Sequence, residues 1–525
     1  MSDTVQQQLR ERSDDDAVAV KYEDRTWTWR EHLRDASAHA AALLELADHS
    51  RPMHVGTLLG NTPDMLTQMA AAGLGGYVLC GINDTRRGEA LMADVRRADC
   101  QILVTDAEHR ALLDGLDLTG IQVVDTSSEK WRHAVDGAGA LRPHREVGQM
   151  DTYMMIFTSG TSGNPKAVQV SHFMVLMSGH ALAERFSITA ADTCYVSMPL
   201  FHSNAVVAGW AVALVSGAAM APAKFSASNF LRDIRRYGAT YMNYVGKPLA
   251  YVLATPERLD DADNPLRTAF GNEASDRDIE EFQRRFGVEV WDGFGSTENA
   301  VIVTREPDTP KGSIGKGFPG VAIYNSETLQ ECPVARFDKD GALVNADDAI
   351  GELVNTDGTG FFTGYYNDDA ANAERTRHGI YWSGDLAYRD ADGWIYLAGR
   401  TADWMRVDGE NLAAAPIERI LLRLNKVSRV AVYAVPDEYV GDQVMAAIVL
   451  KDGATLAPAD FEAFLTEQPD LSPKAWPRYV RIAADLPSTA THKVLKRVLI
   501  AQGATAGDGE LWVRDTRGTA YRRID

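Results

Sequence analysis

Residues 158–166, which read Thr-Ser-Gly-Thr-Ser-Gly-Asn-Pro-Lys, are the stretch on which the interpretation of this chain depends. They follow an apolar run at 153–157 that predicts a strand. A strand-to-helix loop of this composition suits phosphate binding. Glycine lets the backbone approach the phosphate closely, amides and hydroxyls donate hydrogen bonds to its oxygens, and lysine supplies a positive charge. The spacing differs from GxxxxGK[ST], since Pro165 precedes the lysine and Ala167 follows it. Taken alone, the stretch also fits a flexible Ser/Gly surface loop.

The sequence on the amino-terminal side of this loop predicts strands that alternate with helices. Apolar runs at 55–60 and 75–80 flank a predicted helix at 62–74. The same order returns as a strand at 102–105, a helix at 110–116 and a further strand. Such alternation is typical of parallel sheets covered by helices.

We predict an α/β fold, α+β overall, with the main domain boundary near residue 400. Residues 1–400 are expected to form a large N-terminal domain of two helix-covered sheets. Within it, short strands and Gly/Asp turns at about 320–399 predict a small β-rich subdomain. Residues 401–525 are expected to form a small α+β C-terminal domain.

Composition and charge exclude several classes of protein. With 53 Lys and Arg against 73 Asp and Glu, the net charge of −20 argues against a nucleic-acid binder. The N-terminus has no apolar export signal, and the four cysteines have no metal or disulfide spacing, which favours a cytoplasmic protein. The uncharged stretch 206–223 contains glycines and a proline, so we interpret it as a buried helix, turn and strand rather than a membrane span.

A second chemical signal is Phe-Gly-Ser-Thr-Glu at 294–298, after a predicted strand. An aromatic ring beside a glycine turn can stack on a base. Thr297 can donate to a phosphate, and Glu298 can bind magnesium. The alternative is a strand-end turn with an unrelated carboxylate.

Three further motifs lie towards the C-terminus. Trp-Ser-Gly-Asp ends at Asp385, whose carboxylate can accept hydrogen bonds from both hydroxyls of a ribose. Arg400 follows some way along the chain and could bind the same sugar or a phosphate. A helix or turn cap is the alternative for Asp385. The segments 408–411 and 487–493 are the other two motifs, and Lys493 alone would be an ordinary solvated residue.

In order and spacing, the five motifs resemble those of the adenylate-forming superfamily of acyl-CoA synthetases, peptide adenylation domains and firefly-type luciferases. The resemblance extends over about residues 18–500. Segments 224–230, 244–246 and 270–273 are most like the fatty acid transport protein and very-long-chain acyl-CoA synthetase branch, which includes bacterial fatty-acyl and steroid-acid CoA ligases. The chain departs from the usual pattern at Phe294, Ala402 and His492, where a tyrosine, a charged hinge residue and a glycine are common.

The resemblance implies a nucleotide site. Its implied catalytic residues are Lys166, Thr297, Glu298 and Lys493, with Glu298 as the magnesium ligand. Its implied ATP- and AMP-binding residues are Thr158, Ser159, Gly160, Thr161, Ser162, Gly163, Gly271, Asn272, Glu273, Asp292, Gly293, Phe294, Gly295, Ser296, Asp385 and Arg400.

The resemblance also implies an acyl pocket, a coenzyme A channel and a hinge. For His202, a hydrogen-bonded core histidine is the alternative to a gating role. The implied acyl residues are His202, Trp210, Tyr244, Val245 and Gly246; the channel residues are Val407, Asp408, Gly409 and Glu410; the hinge is Ala402.

The implied activity is that of an AMP-forming acyl-CoA ligase. It would activate a long-chain fatty acid or a bulky steroid side-chain acid to acyl-AMP and then transfer the acyl group to coenzyme A. Its substrates would be the acid, ATP and coenzyme A, with Mg²⁺ as cofactor, no nucleic acid, no integral membrane span, and a homodimer as one option. The alternatives are an acyl-AMP ligase that loads a carrier protein, a membrane-associated acyl transport and activation protein, and a catalytically silent nucleotide-binding relative.

Overall fold

The computed structural model divides the chain into two compact units. The first unit comprises Met1–Ala300 and Thr359–Glu374, and the second comprises Val301–Gly358 and Arg375–Asp525. The predicted domain boundary near residue 400 stays a prediction. The structure describes residues 3–158, 165–339, 341, 343–400, 404–407, 410–437, 441–469, 471, 473–488, 494–514 and 518–524.

The helices follow local signals in the sequence. The second begins after a capping box, in which Thr28 accepts from the backbone of Glu31 and the Glu31 carboxylate accepts from the backbone of Thr28. The helices are α1 Val5–Glu11, α2 Trp29–Leu46, α3 Pro63–Gly75, α4 Gly88–Arg97, α5 Glu129–Gly137, α6 His172–Arg185, α7 Ser203–Ala205, α8 Ala211–Ser216, α9 Phe230–Tyr237, α10 Pro248–Leu253, α11 Asp276–Phe286, α12 Ala346–Ala349, α13 Asp369–Arg375, α14 Ala414–Leu421, α15 Pro458–Thr466 and α16 Lys496–Gln502.

The strands are short, and most coincide with apolar runs. They are β1 Val18–Tyr22, β2 Arg25–Thr28, β3 His54–Leu58, β4 Val78–Gly81, β5 Ile102–Thr105, β6 Gln122–Asp125, β7 Thr152–Thr158, β8 Lys166–Ser171, β9 Thr193–Val196, β10 Ala219–Pro222, β11 Tyr241–Val245, β12 Thr268–Asn272, β13 Glu289–Gly293, β14 Val303–Thr304, β15 Lys316–Gly317, β16 Val321–Tyr324, β17 Gly351–Asn355, β18 Tyr381–Arg389, β19 Ile395–Arg400, β20 Trp404–Val407, β21 Glu410–Ala413, β22 Val427–Asp437, β23 Gly441–Leu450, β24 Tyr479–Ile482, β25 Glu510–Arg514 and β26 Tyr521–Ile524.

The first unit contains two mostly parallel sheets. One has the strand order β6-β5-β3-β4-β7-β8, with only the β7–β8 pair antiparallel. The other has the order β13-β12-β11-β9-β10-β1-β2, with only the β1–β2 pair antiparallel. Every residue of β3, β4, β5 and β9 is buried, as expected of parallel strands covered on both faces. The predicted helix-covered sheets are therefore confirmed.

The second unit is built largely from antiparallel strands. Strands β16 to β19 form one sheet in chain order, and β14 pairs with β15. The C-terminal sheet has the order β21-β20-β23-β24-β25-β26, and β22 joins it beside β23. Strands β25 and β26 were not predicted, because each has charged residues among its four or five positions rather than a continuous apolar run.

Three local predictions meet different outcomes. The stretch 206–223 forms a π-helical turn at Val206–Trp210, then α8 and β10, as predicted. The segment 110–116 forms only a 3₁₀ turn at Arg110–Leu113. The strand expected at 75–80 begins only at Val78, because α3 continues to Gly75 and ends at Gly76 with φ +68°. No helix in the described part of the chain has both the length and the apolar character that a membrane crossing requires.

Candidate active site

The loop at 158–166 joins two antiparallel strands rather than a strand and a helix. Strand β7 ends at Thr158 and β8 begins at Lys166, and these two residues are paired across the ladder. The expectation of a strand-to-helix loop was wrong, because alternating apolar residues in Lys166–Ser171 form a strand before α6 begins. The predicted phosphate-binding residues between the strands, Ser159, Gly160, Thr161, Ser162 and Gly163, lie outside the described residues.

Lys166 and Glu298 lie on either side of one tyrosine. The Lys166 Nζ lies 5.1 Å from the ring centroid of Tyr365 and 3.7 Å from a carboxylate oxygen of Glu374. The Tyr365 hydroxyl donates to Glu298 Oε1 over 2.7 Å, and Glu298 is 8% exposed. The structure thus brings together a lysine and a carboxylate that lie far apart in the sequence. No motif in the sequence pointed to Tyr365, because nothing links residues 298 and 365 along the chain.

The turn after β13 carries the other predicted residues of the Phe-Gly-Ser-Thr-Glu motif. Thr297 Oγ1 lies 3.1 Å from Ser203 Oγ at the start of α7. The turn is closed by Asn299, whose amide donates to the carbonyl of Ser296 and whose φ of +47° is unusual for a residue other than glycine. Phe294 directly follows β13 and is partly exposed.

Gly271 and Asn272 lie at the carboxyl end of β12, beside the same turn. A Cβ at residue 271 would lie 2.2 Å from the carbonyl oxygen of Tyr244, so only glycine fits between β11 and β13. Asn272 Nδ2 donates to the carbonyl of Gly293 over 2.7 Å. The next residue, Glu273, has φ +67°. Parallel sheets commonly bind ligands at this edge.

A chain of buried amides continues from Asn272 and was not predicted. Asn204 Nδ2 donates to Asn272 Oδ1 over 3.3 Å, and Asn243 Nδ2 donates to Asn204 Oδ1 over 2.7 Å. Asn243 is fully buried in β11, beside Gly209 of the π-helical turn. A polar residue within the apolar run of β11 was the only sequence signal for this network.

Asp292 and Tyr244 contact each other within the core. The Tyr244 hydroxyl donates to Asp292 Oδ2 over 3.0 Å, and the amide of Ala274 donates to the same oxygen over 2.9 Å. Both side chains are buried, with Tyr244 fully so. These contacts connect the ends of β11, β12 and β13.

The remaining predicted acyl residues lie near the start of α7 and the end of β11. Trp210 is buried and stacks on Tyr153, with ring centroids 5.6 Å apart. His202 packs against Phe201 at 4.6 Å, and burial lowers the pKa of His202 to about 4, so its imidazole is neutral at pH 7. The buried His202 Nε2 has no hydrogen-bond partner within the described residues. Val245 ends β11, and Gly246 donates its amide to the carbonyl of Asn272 over 2.8 Å.

The second unit contains the predicted ribose-binding residues. Asp385 and Arg400 are paired residues of β18 and β19. Gly384 has φ +76°, and its amide donates to Glu352 Oε1 over 2.7 Å. Glu352 pairs with Arg377 at 3.1 Å, and burial raises the pKa of Glu352. Glu352 therefore orients the turn before Asp385, a role that sequence reasoning missed.

The predicted channel, hinge and C-terminal lysine are only partly described. Val407 is buried at the end of β20, and Glu410 begins β21 opposite it. Asp408 and Gly409 of the channel, the hinge residue Ala402 and the catalytic residue Lys493 lie outside the described residues.

Several known proteins are similar to this chain in sequence over nearly its whole length. A medium/long-chain-fatty-acid–CoA ligase of Mycobacterium marinum is 52% identical over 94% of this chain and 95% of its own. A steroid-22-oyl-CoA synthetase of Rhodococcus jostii is 45% identical over 95% of this chain and 91% of its own. The long-chain fatty acid transport protein 6 of Homo sapiens is 27% identical over 92% of this chain and 82% of its own. These relatives confirm the predicted branch.

A solved structure supports the fold. The ATP-bound crystal structure of MatB from Rhodopseudomonas palustris matches with a TM-score of 0.84, at 22% identity, over 96% of this chain and 99% of its own. The AMP-binding enzyme family model matches residues 5–366, and the AMP-binding enzyme C-terminal domain model matches residues 416–493. This chain therefore belongs to the AMP-binding enzyme family.

Proposed function

We propose that the protein is an AMP-forming acyl-CoA ligase for medium- or long-chain fatty acids. The observation that carries this proposal is its 52% identity, over nearly both full lengths, to a relative named for that activity. A steroid side-chain acid is the second candidate substrate, because the steroid-22-oyl-CoA synthetase is 45% identical over a similar span.

The first half-reaction would join the acid to the α-phosphate of ATP and release pyrophosphate. The substrate carboxylate is itself the nucleophile, so the protein has to align two anions and offset the negative charge between them. We assign the β- and γ-phosphates to Lys166 and the loop 158–163, and the α-phosphate to Thr297. Lys166 suits this role because its side chain is only 13% exposed and, within the described residues, its Nζ is paired with the carboxylate of Glu374 alone.

Glu298 is our candidate ligand for Mg²⁺. Its carboxylate is buried, and the hydrogen bond from Tyr365 to Oε1 holds the group in one orientation. A single protein carboxylate fits Mg²⁺, which usually takes one or two carboxylates together with substrate phosphates and waters. When bound, the ion would offset phosphate charge. The part of the chain that the structure describes has no group of three or more His, Cys, Asp or Glu side chains that could hold a metal ion.

The second half-reaction would transfer the acyl group from AMP to the thiol of coenzyme A. We assign the ribose to Asp385 and Arg400, adenine to Phe294 and the 271–273 backbone, and the reacting carboxylate to Lys493 during adenylation. Rotation about Ala402 would then remove Lys493 and bring 407–410 to the pantetheine arm. We further propose a cytoplasmic location, because ATP and coenzyme A are intracellular substrates and all four cysteines are free thiols. A homodimer stays a prediction.

The test is a panel of acids supplied with ATP, Mg²⁺ and either coenzyme A or an acyl carrier protein, with AMP and thioester both measured. We expect AMP and acyl-CoA in equal amounts with fatty acids of medium or long chain. Thioester on the carrier protein alone would favour the carrier-loading alternative. AMP release with acetate or amino acids only would refute the proposed substrate class, and a lack of AMP with every acid would indicate the catalytically silent alternative. Recovery of activity with the membrane fraction would favour the membrane-associated alternative.

A further inference from the structure

Asn61 connects the two sheets of the first unit through one side chain. It follows β3 of one sheet, and its partners lie at the end of β9 in the other and just beyond it. Asn61 Nδ2 donates to the carbonyl of Val196 over 3.1 Å and to the carbonyl of Met198 over 2.7 Å. Asn61 Oδ1 accepts from the amide of Leu200 over 3.1 Å. The amide group is thus bonded through both of its polar atoms.

The segment that Asn61 holds is a buried loop at 197–202, which ends at His202. Met198, Leu200 and Phe201 are each less than 7% exposed. Buried backbone groups outside regular structure need partners, and Asn61 supplies them for this loop. Phe201 also packs on Gly81 at the end of β4, where a Cβ would lie 2.9 Å from Phe201 Cα. The loop therefore contacts this sheet at two places, through the hydrogen bonds of Asn61 and through the close packing of Phe201 on Gly81.

His202 takes its position from this loop. Its ring packs on Phe201, and its carbonyl accepts from Val206 at the start of the π-helical turn. Only one residue separates His202 from Leu200, whose amide is bonded to Asn61. We infer that Asn61 is a positioning residue for acid recognition, which holds the 197–202 loop so that Phe201 and His202 form one wall of the acid site. This inference rests on the proposed function.

The test compares Asn61→Ala and Asn61→Ser with Asn264→Ala. Asn264 is a matched control, because its Nδ2 also donates to two backbone carbonyls, those of Asp261 and Phe286, and its Oδ1 accepts from Leu266. It precedes β12, whereas the candidate site lies at the carboxyl end of that strand. We expect Asn61→Ala to raise the KM for the fatty acid about tenfold or more, because it removes all three side-chain hydrogen bonds to the loop. Asn61→Ser should have a smaller effect, and Asn264→Ala should leave that KM unchanged.

The KM for ATP distinguishes positioning from general damage. Ser203 directly follows the loop and contacts Thr297, so a collapsed site would raise the KM for ATP as well. We expect the KM for ATP to stay within about twofold of the wild-type value, and the preferred chain length of the acid to change. Equal increases in both KM values, or kinetics like those of Asn264→Ala, would overturn the inference.

A double-mutant cycle with His202→Ala tests whether Asn61 acts through the loop. If it does, the two changes in the KM for the acid should be clearly non-additive. Additive effects would contradict the inference. Inactivity of the wild-type protein with every acid would instead refute the proposed function. Calorimetric titration of a fatty acid against the same variants would then still decide the role of Asn61.

Discussion

At the scale of single residues, Tyr365 links the two charged side chains that we assign to nucleotide phosphate and Mg²⁺. Its ring lies beside Lys166 and its hydroxyl donates to Glu298. A partner of this kind fixes the orientation of a ligating carboxylate, and such partners commonly change metal affinity when they are removed. The proposed role of Glu298 therefore depends on a residue that none of the sequence motifs includes.

Tyr365→Phe should raise the Mg²⁺ concentration needed for half-maximal adenylation by about tenfold or more, because Glu298 loses its hydrogen bond while the ring is kept. Tyr366→Phe is the matched control, since that neighbouring hydroxyl donates to Asp99. The measurement is initial rate against Mg²⁺ concentration at fixed ATP. If the initial rates of the two variants depend on Mg²⁺ concentration in the same way, Tyr365 does not contribute to Mg²⁺ binding.

At the scale of secondary-structure elements, the end of β12 depends on the absence of a side chain at residue 271. Gly271→Ala should destabilise the protein by at least 1–3 kcal/mol, the usual cost of overpacking, because the new Cβ would meet the Tyr244 carbonyl oxygen at 2.2 Å. Gly137→Ala in α5 is the control, because a Cβ there meets no atom within 4 Å. Urea unfolding of both variants measures the difference. Equal free energies of unfolding for the two variants would show that β11 and β12 can accommodate the new Cβ without loss of stability.

Most secondary-structure elements have clear signals in the sequence, whereas the contacts that connect them do not. The apolar runs that form β3 and β5 were predicted to within two residues at each end, because short buried strands have a strong local signal. Strand β8 was missed, because a glycine-rich loop before a lysine is usually followed by a helix. Glu298 was found from its motif, whereas Tyr365, Asn204 and Glu352 were not, because their contacts join segments distant in sequence.

At the scale of the whole molecule, buried histidines predict how stability depends on pH. Burial lowers the pKa values of His32, His172 and His202 to about 4, and the carboxylates of Asp84 and Asp106 raise the pKa of His109 to about 9. Below pH 6.5 the unfolded chain binds more protons at the first three positions, so stability falls as pH decreases towards 4. Above pH 6.5 the folded chain binds more protons at His109, so stability falls as pH rises towards 9.

Thermal unfolding between pH 4 and pH 9 should therefore give a maximum near pH 6.5. Each proton contributes a slope of about 1.4 kcal/mol per pH unit at most. His109→Gln should reduce the loss of stability above pH 6.5 and leave the loss of stability below pH 6.5 unchanged. If the pH of maximum stability and the slope of stability above pH 6.5 are the same in this variant as in the wild type, the proposed contribution of His109 is wrong.

The proposed reaction also requires the C-terminal part of the chain to act in one half-reaction only. Lys493→Ala should slow adenylation by a factor of about 10²–10³, which is the usual effect of losing one contact to the negative charge that develops in the transition state. Given presynthesised acyl-AMP, the same variant should transfer the acyl group to coenzyme A at nearly the wild-type rate. Equal loss in both half-reactions, with the fold intact, would exclude alternation about Ala402.

The measurement that tests the central claim most directly is the exchange of labelled pyrophosphate into ATP. It reports formation of the acyl-AMP intermediate alone, because reversal of that step regenerates ATP from pyrophosphate. With a medium- or long-chain fatty acid, Mg²⁺ and no coenzyme A, we predict exchange that depends on the acid and is lost in Lys493→Ala. Absence of exchange with every acid, or release of phosphate in place of pyrophosphate, would contradict the assignment of this protein as an AMP-forming ligase.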